Sequence, residues 1–566
     1  MTARTRGPRG LLPGWVRWAG ALLAALLALP LAGLLSQVDW AEFWALITSR
    51  SAFVSLELSL RSSLAATICS LIIGVPVALV LARGGIPDVV LKVVRTLVLL
   101  PLVLPPVVGG IALIATFGRR GLVGSLVLPF GVEIGFTTLA VIMAQTFVAM
   151  PFLVLTLEGA LRSRSTDFEA VALTLGASPT RALWAVTLPL LWPSLLTGTV
   201  LTFARALGEF GATITFAGSL EGVSRTLPLE IYLQREIDQR AAVALSILLV
   251  IVATVIVAIA YQAPGGPAAN RRDRRLGAPA RSGLDEASTT APAAVVPDRA
   301  ITVRDDAAPH DAVPVSPARL SDTKPSATPT DPVPLDAHIV LTERDIDVRL
   351  RAAAGETVAV IGPNGAGKSS VIDAISGLLD LDAGKIQLGD TVLDHPDARV
   401  RVPAQRRGIA RLGQNPLLFP HLDLGANVAF GQRMAGKSRR EALAAATTWL
   451  IRTGSGGLDR RLPREVSGGQ AQRAAIARAL ATSPRLCLWD EPFAALDVES
   501  APRQRELLAA HSRGRTAVLI THDLADVRAL ADRVVVIEAG RVVQDAPVVE
   551  FLAAPAPGFA ASFVGT

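Results

Sequence analysis

Six stretches of this 566-residue chain stay apolar for about twenty residues each, near 18–37, 62–82, 96–117, 135–157, 184–206 and 241–261. A run of that length crosses the hydrocarbon layer of a membrane as a helix. Lipid offers the backbone no hydrogen bonds, so a chain with six such runs has few architectures open to it. The first run follows a basic N-terminus, but it lacks a clear small-residue cleavage site and five more runs follow, so it reads as a retained helix. The third contains "LPLVLPPVVGG", whose prolines and glycines predict an interrupted helix, tolerable where protein buries the break or a cavity lines it. Basic residues flank the early runs (Arg4, Arg6, Arg9 and Arg17, then Arg83, Lys92 and Arg95), which assigns those segments to the cytoplasm. Six crossings return the C-terminus to the same side. Arg119 and Arg120 fall on the outer side and count against this topology.

Composition changes abruptly after the sixth run. From Ala263 to Pro334 the chain is Ala, Pro, Asp, Arg, Ser and Thr with almost no aromatics, too little to bury a core, and a disordered linker is expected. Alternating strand and helix patterns follow to the end, as in an α/β domain. Three parts result: a six-span helical membrane domain at 1–262, a linker at 263–334, and an α/β domain at 335–566. Hydrophobic residues at 51% exceed what a wholly soluble chain carries, and 18% charged residues exceed a pure membrane bundle, so both totals fit a fusion. A net charge of +7 would admit nucleic acid as a partner, but many of the basic residues border apolar runs instead. Cys69 and Cys487 both lie in apolar stretches and point to neither a disulfide framework nor a metal site.

The α/β part opens with "VAVIGPNGAGKSS", an apolar strand, then GxxxxGKS, then a helix start. This is a P-loop in the context that it requires. Gly362, Pro363, Asn364, Gly365, Ala366 and Gly367 form the loop, with glycines letting backbone N–H groups wrap phosphates. Lys368 is placed for the β- and γ-phosphates of ATP, the Ser369 hydroxyl for Mg²⁺, and Ser370 continues the phosphate-binding turn. "RLCLWDEP" is a second strand ending in two carboxylates: Asp490 is placed to hold Mg²⁺ through water, and Glu491 to position or deprotonate the attacking water. "VLITHD" is a third strand, with His522 at its tip within reach of a γ-phosphate. Between them "VSGGQAQRAAIARAL" starts a helix at Ser467, Gly468, Gly469 and Gln470, an anion-binding N-terminus. A second phosphate site on one nucleotide domain is redundant unless it serves another copy.

P-loop, "SGGQ", "WDEP", "ALD" and "THD" in this order resemble the ATPase domain of ABC transporters, over about residues 335–550. The resemblance implies an α/β P-loop fold with a helical subdomain, and two such domains sandwiching two ATPs, each P-loop facing the partner's signature. It also implies that Gln414, in "RLGQNPLLFPHL", senses Mg²⁺, and that Asp497 is the aspartate of the loop after the acidic pair. The family often stacks adenine on an aromatic upstream of the P-loop. "HIVLTERDIDVRL" has none, so either His338 or Arg344 substitutes or the base stacks only weakly, and the adenine contact stays unassigned.

In the membrane part, "DFEAVALTLGASPTRALWAVTLP" has Glu169 and Ala170 followed by Gly176, and resembles the cytoplasmic coupling loop of importer permeases. That resemblance implies a type I ABC importer with a short helix docking on the ATPase, working as a homodimer in the cell membrane and fed by an extracytoplasmic binding protein. "FARALGEFGATITFAG" with "SRTLPLEIY", "LPLVLPPVVGG" and "ATFGRRGLVG" is similar to molybdate importer permeases over most of 53–262, with sulfate permeases as close relatives. Molybdate or tungstate import is therefore expected, sulfate or thiosulfate being the alternative. A membrane-tethered ATPase without transport and a half-exporter both fit the spans and the coupling loop poorly. Glu209 would repel a dianion, so it is assigned to structure, paired with Arg205. The residues after "THD" read as a strand, a hairpin partner and a helix, and no further cargo-sensing domain is expected from them.

Overall fold

The computed structural model describes residues 14–262, 332–493, 500–512 and 514–565. The expected linker up to position 331, and Asp497, lie outside the described residues. The chain divides into two compact units: Met1–Ala172 with Ser178–Arg275 and Phe419–His421, and Leu173–Ala177 with Leu276–Leu418 and Leu422–Thr566.

The first unit is helical. Among the described residues, five helices are long and apolar enough to cross a membrane: Trp15–Ser36, Arg50–Arg83, Thr138–Arg162, Pro179–Leu207 and Gln239–Ala258. The third expected span, 96–117, is instead two shorter helices, Asp88–Val103 and Pro106–Phe117. The reason is local. Leu104, which precedes Pro105, takes the extended conformation that a following proline ring imposes, and Pro105 and Pro106 contribute no N–H to continue the ladder. The second span also differs from the sequence reading, since its helix begins at Arg50, where the Ser49 hydroxyl caps it by accepting the Ala52 N–H. At 34 residues it is about 51 Å long, more than the hydrocarbon layer requires.

This long helix packs along Thr138–Arg162 through small residues. Gly74 is so close that an added Cβ would press on Leu153 and Val154, and Ala66, Ala149 and Ala206 meet in one buried cluster. Glu209 is buried, with one carboxylate oxygen 2.6 Å from Arg205 Nη1 and the other accepting the Ala212 N–H at 3.0 Å. It thus neutralises Arg205 and caps the helix Gly211–Ala217, a structural role in agreement with the sequence reading.

The second unit contains eleven strands among the described residues: β1 Leu335–Leu341, β2 Ile346–Ala352, β3 Thr357–Ile361, β4 Ala383–Leu388, β5 Thr391–His395, β6 Val400–Arg401, β7 Ile409–Leu412, β8 Leu486–Asp490, β9 Ala517–Ile520, β10 Arg533–Glu538 and β11 Arg541–Pro547. An antiparallel sheet has the order β2-β1-β4-β5-β6, and a second sheet the order β11-β10-β3-β9-β8-β7. In the second sheet β10, β3, β9, β8 and β7 run parallel and β11 closes one edge antiparallel. Alternation assigns its faces. Leu486 and Leu488 join the core of the P-loop helix Lys368–Ser376, while Cys487 and Trp489 join that of the signature helix Gly468–Ala481. The final residues, given no element in the sequence reading, form a helix Phe559–Val564 whose Ala560 and Phe563 pack with Phe551 against β3 and β10.

A buried arginine ties the antiparallel sheet to the P-loop helix. Arg407 is 2% exposed and donates to the carbonyls of Val402, Ala374 and Ile375 and to Asp394, 2.9 Å away. Removing one partner of such a pair strands the other charge. We expect Arg407→Met to destabilise this unit by about 3–5 kcal/mol. That should lower its unfolding temperature by about 10 °C in a tryptophan-fluorescence melt of the full chain. The double variant with Asp394→Leu should regain part of the loss.

Candidate nucleotide site

Every residue of β3 is buried, so the chain must leave the sheet abruptly at Gly362. Gly362 has φ +154, and a Cβ there would run into the Ile537 carbonyl of β10. Gly365 and Gly367 have φ of +83 and +96, the left-handed region that favours glycine. The loop then enters the helix at Lys368 with its first-turn N–H groups facing back toward it, an arrangement suited to phosphate. The Lys368 ammonium lies among the loop atoms, donating to the carbonyls of Gly362 at 2.7 Å and Pro363 at 2.8 Å. Burial lowers its pKa, and the nearby Glu491 and Asp490 oppose that shift. Ser369 is exposed on the first turn, and the Ser370 hydroxyl accepts from Arg344 Nη1 at 2.8 Å. Arg344 therefore stands at the loop, whereas His338 bonds Asp347 at 2.9 Å.

Parallel strands end on one edge, and that edge gathers the other candidates. Asp490 ends β8 and Glu491 follows it, His522 follows β9, and Gln414 follows β7. Glu491 holds φ +49, a strained value for a side-chain-bearing residue, and its N–H donates to Ile520 at 2.9 Å. Its carboxylate accepts from Gln414 Nε2 at 2.9 Å, and its other oxygen lies 2.9 Å from His522 Nε2. Three residues with separately expected roles thus form one connected group. Burial raises the pKa of Asp490, opposed by the guanidinium of Arg411. Behind them burial pushes the Cys487 thiol up to about 12, which leaves it inert.

Ser467 caps the signature helix: its hydroxyl accepts the Gln470 N–H at 3.3 Å, and the Gln470 side-chain oxygen accepts the Ser467 N–H at 2.9 Å. Gly468 and Gly469 form its first turn. Among the described residues no hydrogen bond joins this turn to the P-loop. Two arginines that sequence reasoning passed over are part of the surroundings. Arg478, on the signature helix, donates to the carbonyls of Pro416 and Leu417, both at 2.8 Å, and braces the loop of Gln414 where Leu417 holds φ +42. Full burial pulls its pKa down to about 9. Arg411 lies beside Asp490. The only signal for either was a cation inside an apolar strand or helix pattern.

In the first unit Glu169 accepts from Arg83 Nη2 at 2.8 Å and from the Thr187 hydroxyl at 3.2 Å. Ala170 lies on the helix Asp167–Thr174, and Gly176, at φ +91, turns the chain after that helix ends.

Residues 346–494 match the family model described as ABC transporter, and residues 70–263 match the binding-protein-dependent transport system inner membrane component. Over 246 residues the chain is 54% identical to a molybdenum transport system permease protein of Mycobacterium tuberculosis, covering 44% of this chain and 92% of that one. The chain belongs to the binding-protein-dependent ABC transporters. The transporter's ATPase part is 46% identical over 237 residues to a molybdenum import ATP-binding protein of the same organism, covering 41% of this chain and 64% of the relative. It is also 43% identical over 230 residues to an Fe(3+) ions import ATP-binding protein of Streptomyces avermitilis, covering 40% and 63%. The transporter thus spans less than two thirds of those ATP-binding relatives. It is a membrane protein that combines a permease domain with an ABC ATPase in one chain.

The loop geometry is testable. Gly362→Ala is expected to force β10 away from the loop and to weaken ATP binding by about tenfold or more, since the clash is with backbone rather than a movable side chain. Equilibrium binding of a fluorescent ATP analogue measures it.

Proposed function

We propose that this transporter imports molybdate, with tungstate as its close mimic, across the cell membrane. The observation that carries the reading is the permease match: 54% identity over 92% of a molybdenum transport permease. The permease is the part that cargo crosses, so the permease match weighs more for cargo than the ATPase match. The ATPase half is nearly as similar to an iron importer, at 43%, as to a molybdenum one, at 46%. Reconstituted protein, supplied with binding proteins loaded in turn with molybdate, tungstate, sulfate and ferric ion, tests the choice. Stimulation of ATP hydrolysis by molybdate and tungstate, but by neither sulfate nor iron, is the expected outcome.

We assign hydrolysis to the connected group. Glu491 accepts a proton from the attacking water, His522 steadies the γ-phosphate, and Gly362–Ser370 with Lys368 bind the phosphates. Lys368 exchanges its two carbonyl bonds for phosphate oxygens when nucleotide enters. Ser369, Gln414 and Asp490 offer a hydroxyl, an amide oxygen and a carboxylate, a hard-oxygen set that fits Mg²⁺. When bound, that ion neutralises charge on the β- and γ-phosphates. Ser467, Gly468, Gly469, Gln470 and Asp497 act across a homodimer on the partner's nucleotide. Glu169, Ala170 and Gly176 form the loop that couples ATPase closure to the permease. The domains divide as 1–262, 263–334 and 335–566, with both termini cytoplasmic and an extracytoplasmic binding protein delivering cargo.

Two outcomes follow from these roles. Glu491→Gln is expected to abolish steady-state hydrolysis at least a hundredfold while ATP binding persists, measured as phosphate release beside nucleotide retention. Mixing a Lys368→Ala chain with a Ser467→Arg chain, each inactive alone, is expected to restore partial activity. One of the two composite sites in a mixed dimer then keeps both of its halves.

A further inference from the structure

Strand β7 has a charged residue where its pattern calls for an apolar one. Ile409 joins the core of the P-loop helix, while Ala410 and Leu412 join that of the signature helix. By alternation Arg411 faces the P-loop helix, as Ile409 does. On the neighbouring strand Leu486 and Leu488 share that face, and Asp490, two residues on, shares it too. The Arg411 side chain is 20% exposed, so most of its charge must be met by the protein. It is met twice. Nη1 lies 2.5 Å from Asp373 Oδ1 on the P-loop helix, and Nη2 lies 3.6 Å from Asp490 Oδ2. One guanidinium therefore spans the element that follows the phosphate loop and the strand that ends in the acidic pair.

We propose that Arg411 is a positioning residue and the resident counter-cation of the magnesium site. This rests on the Mg²⁺–ATP reading given above. Asp373 and Asp490 bring two negative charges together beside the end of β8, and Arg411 cancels one of them while orienting Asp490. An uncompensated pair of that kind would attract a bare divalent cation. With Arg411 in place the pocket holds the metal weakly by itself, and the ion enters with the phosphates, whose oxygens supply the missing negative charge. Nucleotide and metal then bind as one unit, and the site is not filled by a cation alone.

The test measures metal binding without turnover, on the full chain in lipid nanodiscs, with Mn²⁺ as a spectroscopic probe for the same hard-oxygen site. Free and bound Mn²⁺ are quantified by electron paramagnetic resonance in the absence of nucleotide. Arg411→Gln is expected to tighten nucleotide-free Mn²⁺ binding by about tenfold or more. Arg411→Lys, whose single ammonium cannot reach both carboxylates, is expected to tighten it less. The gain should vanish in Arg411→Gln combined with Asp490→Asn. Equal affinity in wild type and Arg411→Gln, or a gain that survives Asp490→Asn, would overturn the proposal. If Arg411→Gln does not fold, Arg411→Lys decides in the same way, with no tightening counting against it. Asp490→Asn alone should weaken binding of Mn²⁺ with ATP. Unchanged binding there would bring down the metal-site reading itself, and the role of Arg411 with it.

Discussion

Wherever water is excluded, each backbone N–H and C=O needs a partner, and both halves of this chain are arranged around that demand. In lipid it allows helices and little else, so the five long apolar helices satisfy themselves internally. The place where the demand is relaxed is therefore informative. At Leu104–Pro106 two prolines withhold their donors and the helix breaks. In the ATPase the same demand produces the parallel sheet. It is relaxed at the P-loop, where glycine conformations turn the first-turn N–H groups of a helix toward a position for phosphate.

Charge is handled by pairing in both halves. Glu209 is buried but answered by Arg205 and by the Ala212 N–H, and Glu158 is answered by Arg95 and Arg162. Arg407 meets three carbonyls and Asp394, while Arg478 meets two carbonyls of the Gln414 loop. These cations are fully used where they stand. The nucleotide pocket differs in kind. Lys368 is satisfied by loop carbonyls, which are weaker partners than phosphate oxygens, and Glu491 holds a strained backbone while two side chains grip its carboxylate. A site built to exchange partners leaves such groups incompletely matched until ligand arrives.

The signature helix illustrates how one element serves two ends. Its N-terminus is capped by Ser467 and Gln470, with Gly468 and Gly469 in the first turn. Ten residues after Gly468, Arg478 reaches the loop that holds Gln414, and Gln414 in turn bonds Glu491. One helix thus carries both the capped end and the arginine that holds the loop of Gln414.

The sequence alone determined the spans, the interruption at the paired prolines, the P-loop and the order of the ATPase motifs. Each of these depends on residues adjacent in the chain: apolar run length, missing proline donors, glycine φ, or strand period. Even so, the helix from Arg50 ran beyond its apolar run because Ser49 caps its start and Ala52 packs in a cluster with Leu227 and Leu245. The closing helix Phe559–Val564 was hidden because only burial of Ala560 and Phe563 against other elements sustains so short a segment. Tertiary structure alone decided that Gln414, Glu491 and His522 join, that Arg344 rather than His338 stands at the phosphate loop, and that Arg411 bridges Asp373 and Asp490. The contacts of Gln414 and His522 with Glu491, and of Arg411 with Asp490, join residues dozens of positions apart, brought together because β7, β8 and β9 lie side by side and end on the same edge of one sheet. Strand order is a property of the packed core, and nothing local in the chain encodes it.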